Sequence, residues 1–403
     1  MKLSLRAALL AGALVVSSGV ALAEPVSLVQ ALAQAAEKSP RIAQARALAN
    51  AAEARARQAG ASPNPELSVQ VENFAGTGVF QGFRSTETTL AISQRFELGG
   101  KRGARVAVAS AERDSAFLSL KRAEADLARD VRLAHAELRA AEDRALLARE
   151  NVAQARELAR TARVLVEAGR DPPLRQLRAD AVLSEAQAEE ARRFGELLAA
   201  RRLLSDLTGS SDPELSAEPL YDEAAPGILP PATPTLDEQL AVAECSAAQA
   251  RIRVAQAEGI PDITASGGVR RIADGRDTAI VAGISIPIPV RNRNRGGIEA
   301  AGSDAVACDA ALAQARIDVS RAQHDARMLL GAADARVEAL SGPSLAQAEE
   351  AARIARIGYG AGRFSLVELL DAQAALTTAK LNLIEARLDR ALALAALIRA
   401  NAQ

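Results

Sequence analysis

Ala153-Gln154-Ala155-Arg156-Glu157, followed by Ala159-Arg160, Ala162-Arg163 and Ala168-Gly169-Arg170, returns later in the chain as Ala346-Gln347-Ala348-Glu349-Glu350, Ala352-Arg353, Ala355-Arg356 and Ala361-Gly362-Arg363. One constant offset carries Ala153 to Ala346 and Gly169 to Gly362, and roughly half of the positions from Ala153 to Ala186 match across it. Alanine-rich helices match by chance, but a shared Ala-Gly-Arg break in register does not follow from composition. A second match precedes the first: Ala59, Ala61 and Pro65-Glu66-Leu67-Ser68 correspond to Ala255, Ala257 and Pro261-Asp262-Ile263-Thr264. Each repeat is therefore about half the chain and carries a strand-like part and a long helical part. Such a duplication predicts a pseudo-symmetric object, not an enzyme built around one cleft.

The helical part is read from its periodicity. Leu127, Val131, Ala134, Leu138, Ala141, Ala145, Ala148, Val152, Ala155, Ala159, Ala162 and Val166 step by four and three in turn. This is a heptad seam, which implies a left-handed supercoil against a partner helix. Most of its residues are alanine, so the partner must approach closely. A helix from about 104 to 167 would be ~95 Å long. The last helix is predicted to carry a seam of Leu381, Ile384, Leu388, Ala391, Ala395 and Ile398. Gly169 and Gly362 suit the left-handed position that stops a helix. Pro172-Pro173 and Ser365 suit the start of the next. Each repeat thus ends in a tight helical hairpin, and the returning helices run to about Thr208 and Ala400.

Four segments alternate with period two instead: 67–72, 88–96, 263–269 and 280–286. Each has the length of a membrane-crossing strand. Two hairpins make four strands, too few to close a membrane barrel, so several chains must contribute. A stretch at 210–235 holds Pro213, Pro219, Pro226, Pro230, Pro231 and Pro234 and reads as a crossover linker packed on the outside.

Residues 1–23 read as a secretory signal: Lys2 and Arg6, an apolar run from Ala7 to Val20, then the small-x-small site Ala21-Leu22-Ala23. Removing it would make the chain more acidic than its formal net charge of −1, which argues against a nucleic-acid partner. The expected domains are the signal (1–23), a first repeat (24–209), the linker (210–235) and a second repeat (236–403). Alanine is roughly a quarter of the residues and aromatics are 2%, the profile of long helices.

The chemical inventory points away from catalysis. His135 and His324 stand far apart within helical runs and read as helix-surface residues. No metal-ligand spacing, nucleophile signature or phosphate loop is present, so no metal and no cofactor is expected. Gly99-Gly100-Lys101-Arg102 and Arg291-Asn292-Arg293-Asn294-Arg295-Gly296 occupy matching places, which makes each a strand-to-helix junction; their basic residues could also meet lipid head groups.

The order strand, strand, long helix, tip, long helix, twice over, resembles the TolC family of outer-membrane channels along essentially the whole mature chain. Tyr359, Gly362, Ser365 and Glu368-Leu369-Leu370-Asp371-Ala372-Gln373 resemble that family's second tip. Pro63-Asn64-Pro65-Glu66, Glu72-Asn73 and Ser93-Gln94-Arg95-Phe96-Glu97-Leu98-Gly99-Gly100-Lys101-Arg102 are similar to the CzcC-like branch, which serves heavy-metal efflux. The resemblance implies a mainly α fold with a small β part. Three chains would pool their strands into one twelve-stranded barrel in the bacterial outer membrane and continue as an α-barrel ~100 Å into the periplasm. The implied partners are a periplasmic adaptor and a proton-driven inner-membrane transporter, and the implied cargo is a divalent cation such as cobalt, zinc, cadmium or nickel. The scarcity of His, Cys and Met suits a duct that should not retain soft metals. Three other readings stand beside it: the same channel for drugs or secreted proteins, a periplasmic adaptor, and a secreted structural coiled coil.

Three sets of site residues follow. Glu368 and Asp371 share a helix face, and the repeat offset maps them onto Arg175 and Arg178; these four are expected at the periplasmic aperture. Gly169, Arg170, Tyr359, Gly362 and Arg363 are expected to dock the adaptor. Cys245 and Cys308 fall at one level below the strands, on adjacent segments, which permits either a disulfide or two small buried residues in an alanine-rich interface.

Overall fold

The computed structural model describes residues 26–210, 216–217 and 234–403. The expected signal and most of the expected linker lie outside these residues. Two short helices open the described chain, α1 (Leu28–Lys38) and α2 (Pro40–Ala59). Ser27 caps α1 with a reciprocal Ser27–Gln30 capping box, and Pro40 starts α2 where a missing N–H costs nothing. Strands β1 (Glu66–Glu72) and β2 (Glu87–Phe96) follow, then α3 (Lys101–Glu167) and α4 (Pro173–Thr208). The second repeat runs α5 (Leu236–Glu258), β3 (Ile263–Ile272), β4 (Thr278–Ser285), α6 (Arg295–Ala339), α7 (Leu345–Gly360) and α8 (Leu366–Ala400). The four strands and both helical hairpins stand where the sequence places them, to within a few residues.

The α3 helix is 67 residues, ~100 Å long. Every residue of its predicted seam is buried except Val166, which is half-buried. The alanines let α4, α1 and α8 approach closely, while Leu127, Val131 and Leu138 anchor the core with Ile42, Leu197 and Leu204. Each such large side chain contributes about 1.5–3 kcal/mol by burial.

Three findings differ from the sequence reading. The long helix of the second repeat is broken: Gly342 leaves the helical region and Pro343 lacks a donor, so a wide turn at Leu340–Ser344 separates α6 from α7. The α8 helix has two seams instead of one. Ile384, Leu388 and Ala391 of the predicted seam pack against Ala136 and Ala140 of α3, whereas its Ile398 joins a neighbouring stripe of Ala393, Leu394 and Leu397 that packs on Ala326 and Leu330 of α6. His135 is fully buried, because it faces the entry of the chain and not solvent; its Nε2 lies 2.9 Å from the Val26 carbonyl, to which it donates. His324 is exposed. Of the linker, Ser210, Ser216, Ala217, Pro234 and Thr235 are described, and Ala217 is buried in the α1–α3–α4 core beside Val26.

The sheet joins the repeats. Its order is β1-β2-β3-β4, antiparallel throughout. The central pairing, from Glu87 opposite Ile272 to Phe96 opposite Ile263, crosses from one repeat to the other. β1 and β4 are both edges.

Candidate functional site

The sheet register separates two faces. Leu67, Val69 and Val71 stand with Leu90, Ile92, Phe96, Val269, Ile280 and Ile284 on one face, and all nine are exposed in the single chain. Glu66, Ser68, Gln70, Glu72, Glu87, Thr89, Ser93, Arg95, Ser266 and Arg270 alternate onto the other. An apolar outer face backed by a polar inner one is the pattern of a barrel wall between lipid and water.

The helices leave the sheet through tight junctions. Gly99 and Gly100 both have positive φ, and a Cβ on Gly99 would sit 2.6 Å from Ile260. Lys101 then reaches across to Asp262 ahead of β3, 2.6 Å away, and Arg105 pairs with Glu97. The matching Arg291–Gly296 stretch ends in Asn294, left-handed at φ 56, which caps α6 and ties back to the Ala255 carbonyl at 2.8 Å. Below this level Cys245 of α5 and Cys308 of α6 are joined as a disulfide, with Cα atoms 5.4 Å apart.

At the far end lie the two tips. Gly169 takes φ +67, and the N–H groups of Arg170 and Asp171 both donate to the Leu165 carbonyl. Gly362 takes φ +69, and Arg363 and Phe364 donate to the Gly358 carbonyl in the same way. No atom stands within 4 Å of a Cβ built on either Gly169 or Gly362, so both turns project into open space. Gly169, Arg170, Gly362 and Arg363 are exposed. Tyr359 differs from these four docking candidates. It is only 7% exposed, because its ring lies in a cluster with Leu158, Ala162, Ala179, Leu366 and Leu369 that joins both tips.

The aperture residues are dispersed in the single chain. Glu368 closes a capping box: the Ser365 N–H donates to its carboxylate at 2.6 Å, and its own N–H donates to Ser365 Oγ. The Ser365 backbone N–H is also what holds the Glu368 carboxyl below the usual range. Asp371 and Arg178 are exposed. Arg175 pairs with Asp171 of its own hairpin. Among the described residues no ion pair links the acidic pair to the arginine pair.

Asp171 is the residue that the sequence reading missed. Its side chain is 8% exposed, with one carboxylate oxygen on Arg175 and the other, Oδ2, buried without a hydrogen-bond partner. The Tyr359 hydroxyl is buried and unpartnered as well. Burial pushes the Tyr359 phenol up, the Asp171 charge adds to this, and Arg175 opposes it. The repeat offset carried a signal. It places Asp171 opposite Phe364, whose ring packs on Gly358 so closely that a Cβ there would lie 2.1 Å from it. One tip is closed by an aromatic ring and the other by an ion pair, and that asymmetry was readable.

The family model for outer membrane efflux proteins matches residues 31–210 and 236–403. The chain belongs to that family. The efflux-protein fold is seen again in the solved structure of CusC, at a TM-score of 0.79 and 20% identity, over 93% of this chain and 92% of that one. The nickel-cobalt-cadmium resistance protein NccC of Alcaligenes xylosoxydans xylosoxydans is 34% identical over 312 residues, 77% of this chain and 70% of that protein. The cobalt-zinc-cadmium resistance protein CzcC of Cupriavidus metallidurans is 29% identical over 368 residues, 89% and 86% of the two chains. This outer membrane efflux protein therefore places its apolar sheet face in the outer membrane and its helices in the periplasm. Among its described residues no group of His, Cys, Asp and Glu could hold a metal ion.

Proposed function

We propose that three copies of this chain close one twelve-stranded barrel and continue as a periplasmic α-barrel, forming the outer-membrane duct of a tripartite efflux system. The observation that carries this is the sheet itself. Both edges are unpaired and one face is apolar, and in lipid every backbone polar group needs a partner, so neighbouring chains must complete the ladder. The helices support the same reading. Val306, Ile317 and Met328 recur every eleven residues, which keeps them on one face of α6, and all three are exposed. A chain of 42.0 kDa that leaves 25341 Å² accessible, against about 15,000 Å² for a compact protein of this mass, is built to be covered by copies.

The periplasmic tips form the gate. Tyr359 packs one hairpin against the other within the chain and Asp171 pairs with Arg175 inside the first, while Glu368, Asp371 and Arg178 stand exposed, in position to alternate acid and base around a closed ring. Exposed pairs contribute only ~0.2–1 kcal/mol each, so closure relies on several at once. Gly169, Arg170, Gly362 and Arg363 present the docking ends to a periplasmic adaptor, which links the duct to a proton-driven inner-membrane transporter.

The cargo is divalent heavy-metal cations. The resemblance to NccC and CzcC supports this, together with a described surface that offers no soft-metal trap: both cysteines are oxidised and the chain has two methionines. Deletion of the gene should sensitise cells to cobalt, zinc, cadmium or nickel and leave resistance to dyes and detergents intact. The reverse pattern would assign the duct to drugs.

A further inference from the structure

The polar face of the sheet holds one organised charge cluster, and it sits at the loop end of the strands, away from the helices. Arg270 of β3 donates from Nη1 to Glu87 of β2 (2.8 Å), from Nη2 to Glu72 of β1 (3.4 Å) and from Nε to Thr89 Oγ1 (3.0 Å). Asn73 donates to Glu87 and Gln70 to Glu72, so both carboxylates are held from a second side. The Thr89 hydroxyl is buried beneath the guanidinium. Three side chains from β1 and β2 thus fix Arg270 flat against the wall, facing inward.

The remaining charges of the polar face balance, and the basic junction residues Arg102, Arg291, Arg293 and Arg295 lie at the opposite, helix end of the strands. Glu66 and Arg95 share the polar face at the helix end; Lys101 pairs with Asp262 and Arg105 with Glu97. The loops carry Arg84 and Arg276 against Asp274 and Asp277. Arg271 alternates onto the apolar face, at its rim. On the polar face the cluster is the one unbalanced group, with two carboxylates and one guanidinium.

We propose that Arg270 is the charge-setting residue of the outer mouth: it offsets half of the Glu72 and Glu87 charge, leaving each chain one negative charge at one level of the lumen. This rests on the trimeric barrel, in which three clusters form a ring. Twelve strands ~4.8 Å apart and tilted by ~40° give a backbone radius of about 12 Å. Long side chains project inward from that wall. At 0.1 M salt the Debye length is ~10 Å, so a passing ion feels the ring. The ring favours cations without binding them tightly, because Arg270 already occupies the carboxylates. A duct for cations needs that combination of attraction and release.

The test is the reversal potential of the purified full-length protein in a planar bilayer under a tenfold KCl gradient. The unmutated channel prefers potassium. Arg270→Gln moves the reversal potential further toward the potassium limit, Arg270→Lys leaves it near the unmutated value, and the double variant Glu72→Gln/Glu87→Gln carries it to the chloride side. In the unmutated channel the preference fades as the tenfold gradient is shifted upward until its mean concentration reaches ~1 M, where the Debye length is ~3 Å. A channel that conducts with the same reversal potential in Arg270→Gln, or whose preference survives high salt, overturns the proposal. A chain that forms no conducting channel at all defeats instead the barrel on which it rests.

Discussion

Arg144 of α3 grips Glu385 of α8 through two parallel N–H donors, Nε at 2.9 Å and Nη2 at 3.0 Å from the two carboxylate oxygens. The contact crosses from the first repeat to the second. Arg144 is nearly buried and reaches Glu137 with Nη1. Burial lowers the Arg144 pKa, but the carboxylates of Glu385 and Glu137 outweigh it and keep the group charged. Loss of Glu385 leaves Arg144 with one carboxylate in place of two. Glu385→Ala is expected to destabilise the protein by about 1.5–3 kcal/mol, the worth of hydrogen bonds to a charged group. Thermal unfolding in detergent reads this, and an unchanged midpoint would show that solvent or Glu137 replaces the contact fully.

The tip cluster predicts a division between ring and hydroxyl. The Tyr359 hydroxyl has no partner, so Tyr359→Phe should keep the closed conductance. Tyr359→Ala empties a buried site at a cost of about 3–5 kcal/mol and should raise it. Asp171→Ala, by releasing Arg175, and the pair Glu368→Ala/Asp371→Ala should raise it too. Single-channel recording decides. Equal conductance in all variants would remove these residues from the gate.

Asp237 ties α5 to α8 and α3. Arg399 donates to its two carboxylate oxygens at 2.8 and 3.2 Å, and Arg122 lies 3.2 Å away. Burial pushes the Asp237 carboxyl up, but the Arg399 hydrogen bonds and the charges of Arg399 and Arg122 outweigh it and hold it below the usual range. A depressed carboxylate contributes stability above its unfolded pKa and loses it as pH falls through the folded value. Asp237→Asn should therefore melt below the unmutated protein at neutral pH, and the gap should close toward about pH 3. A gap of constant size across that range would exclude the ionised carboxylate as its source.

The Cys245–Cys308 bridge has no counterpart in the first repeat. It spans 63 residues, for which the chain-entropy account gives about 4 kcal/mol. Mass spectrometry of the alkylated, unreduced protein should find neither cysteine carbamidomethylated. Reduction should lower the unfolding midpoint, and the Cys245→Ala/Cys308→Ala variant should match the reduced protein. Two alkylated cysteines would leave the bridge without support.

The periodic features were legible because they repeat. The α3 seam, the alternating strands and the Gly169 and Gly362 stops each follow from local chemistry, and the duplication doubled every signal. What stayed hidden depends on contacts between distant segments. The pairing of β2 with β3 leaves no mark in either strand. His135 looked like a surface residue because its partner, the Val26 carbonyl, is more than a hundred residues away. The α8 helix needed two seams because it lies between α3 and α6, which periodicity along one helix does not reveal. The break at Gly342-Pro343 was readable from that dipeptide alone. Tyr359 was assigned to docking by its position near a tip, whereas its burial is set by Leu158, Leu366 and Leu369 on other helices.

Closure of the open sheet edges by other copies of the same chain is the step on which the proposed duct depends. Native mass spectrometry of the protein released from detergent tests it most directly. One dominant species of three chains, obtained only from the detergent-extracted membrane fraction, is the expected result. A monomer that stays in solution without detergent would contradict it.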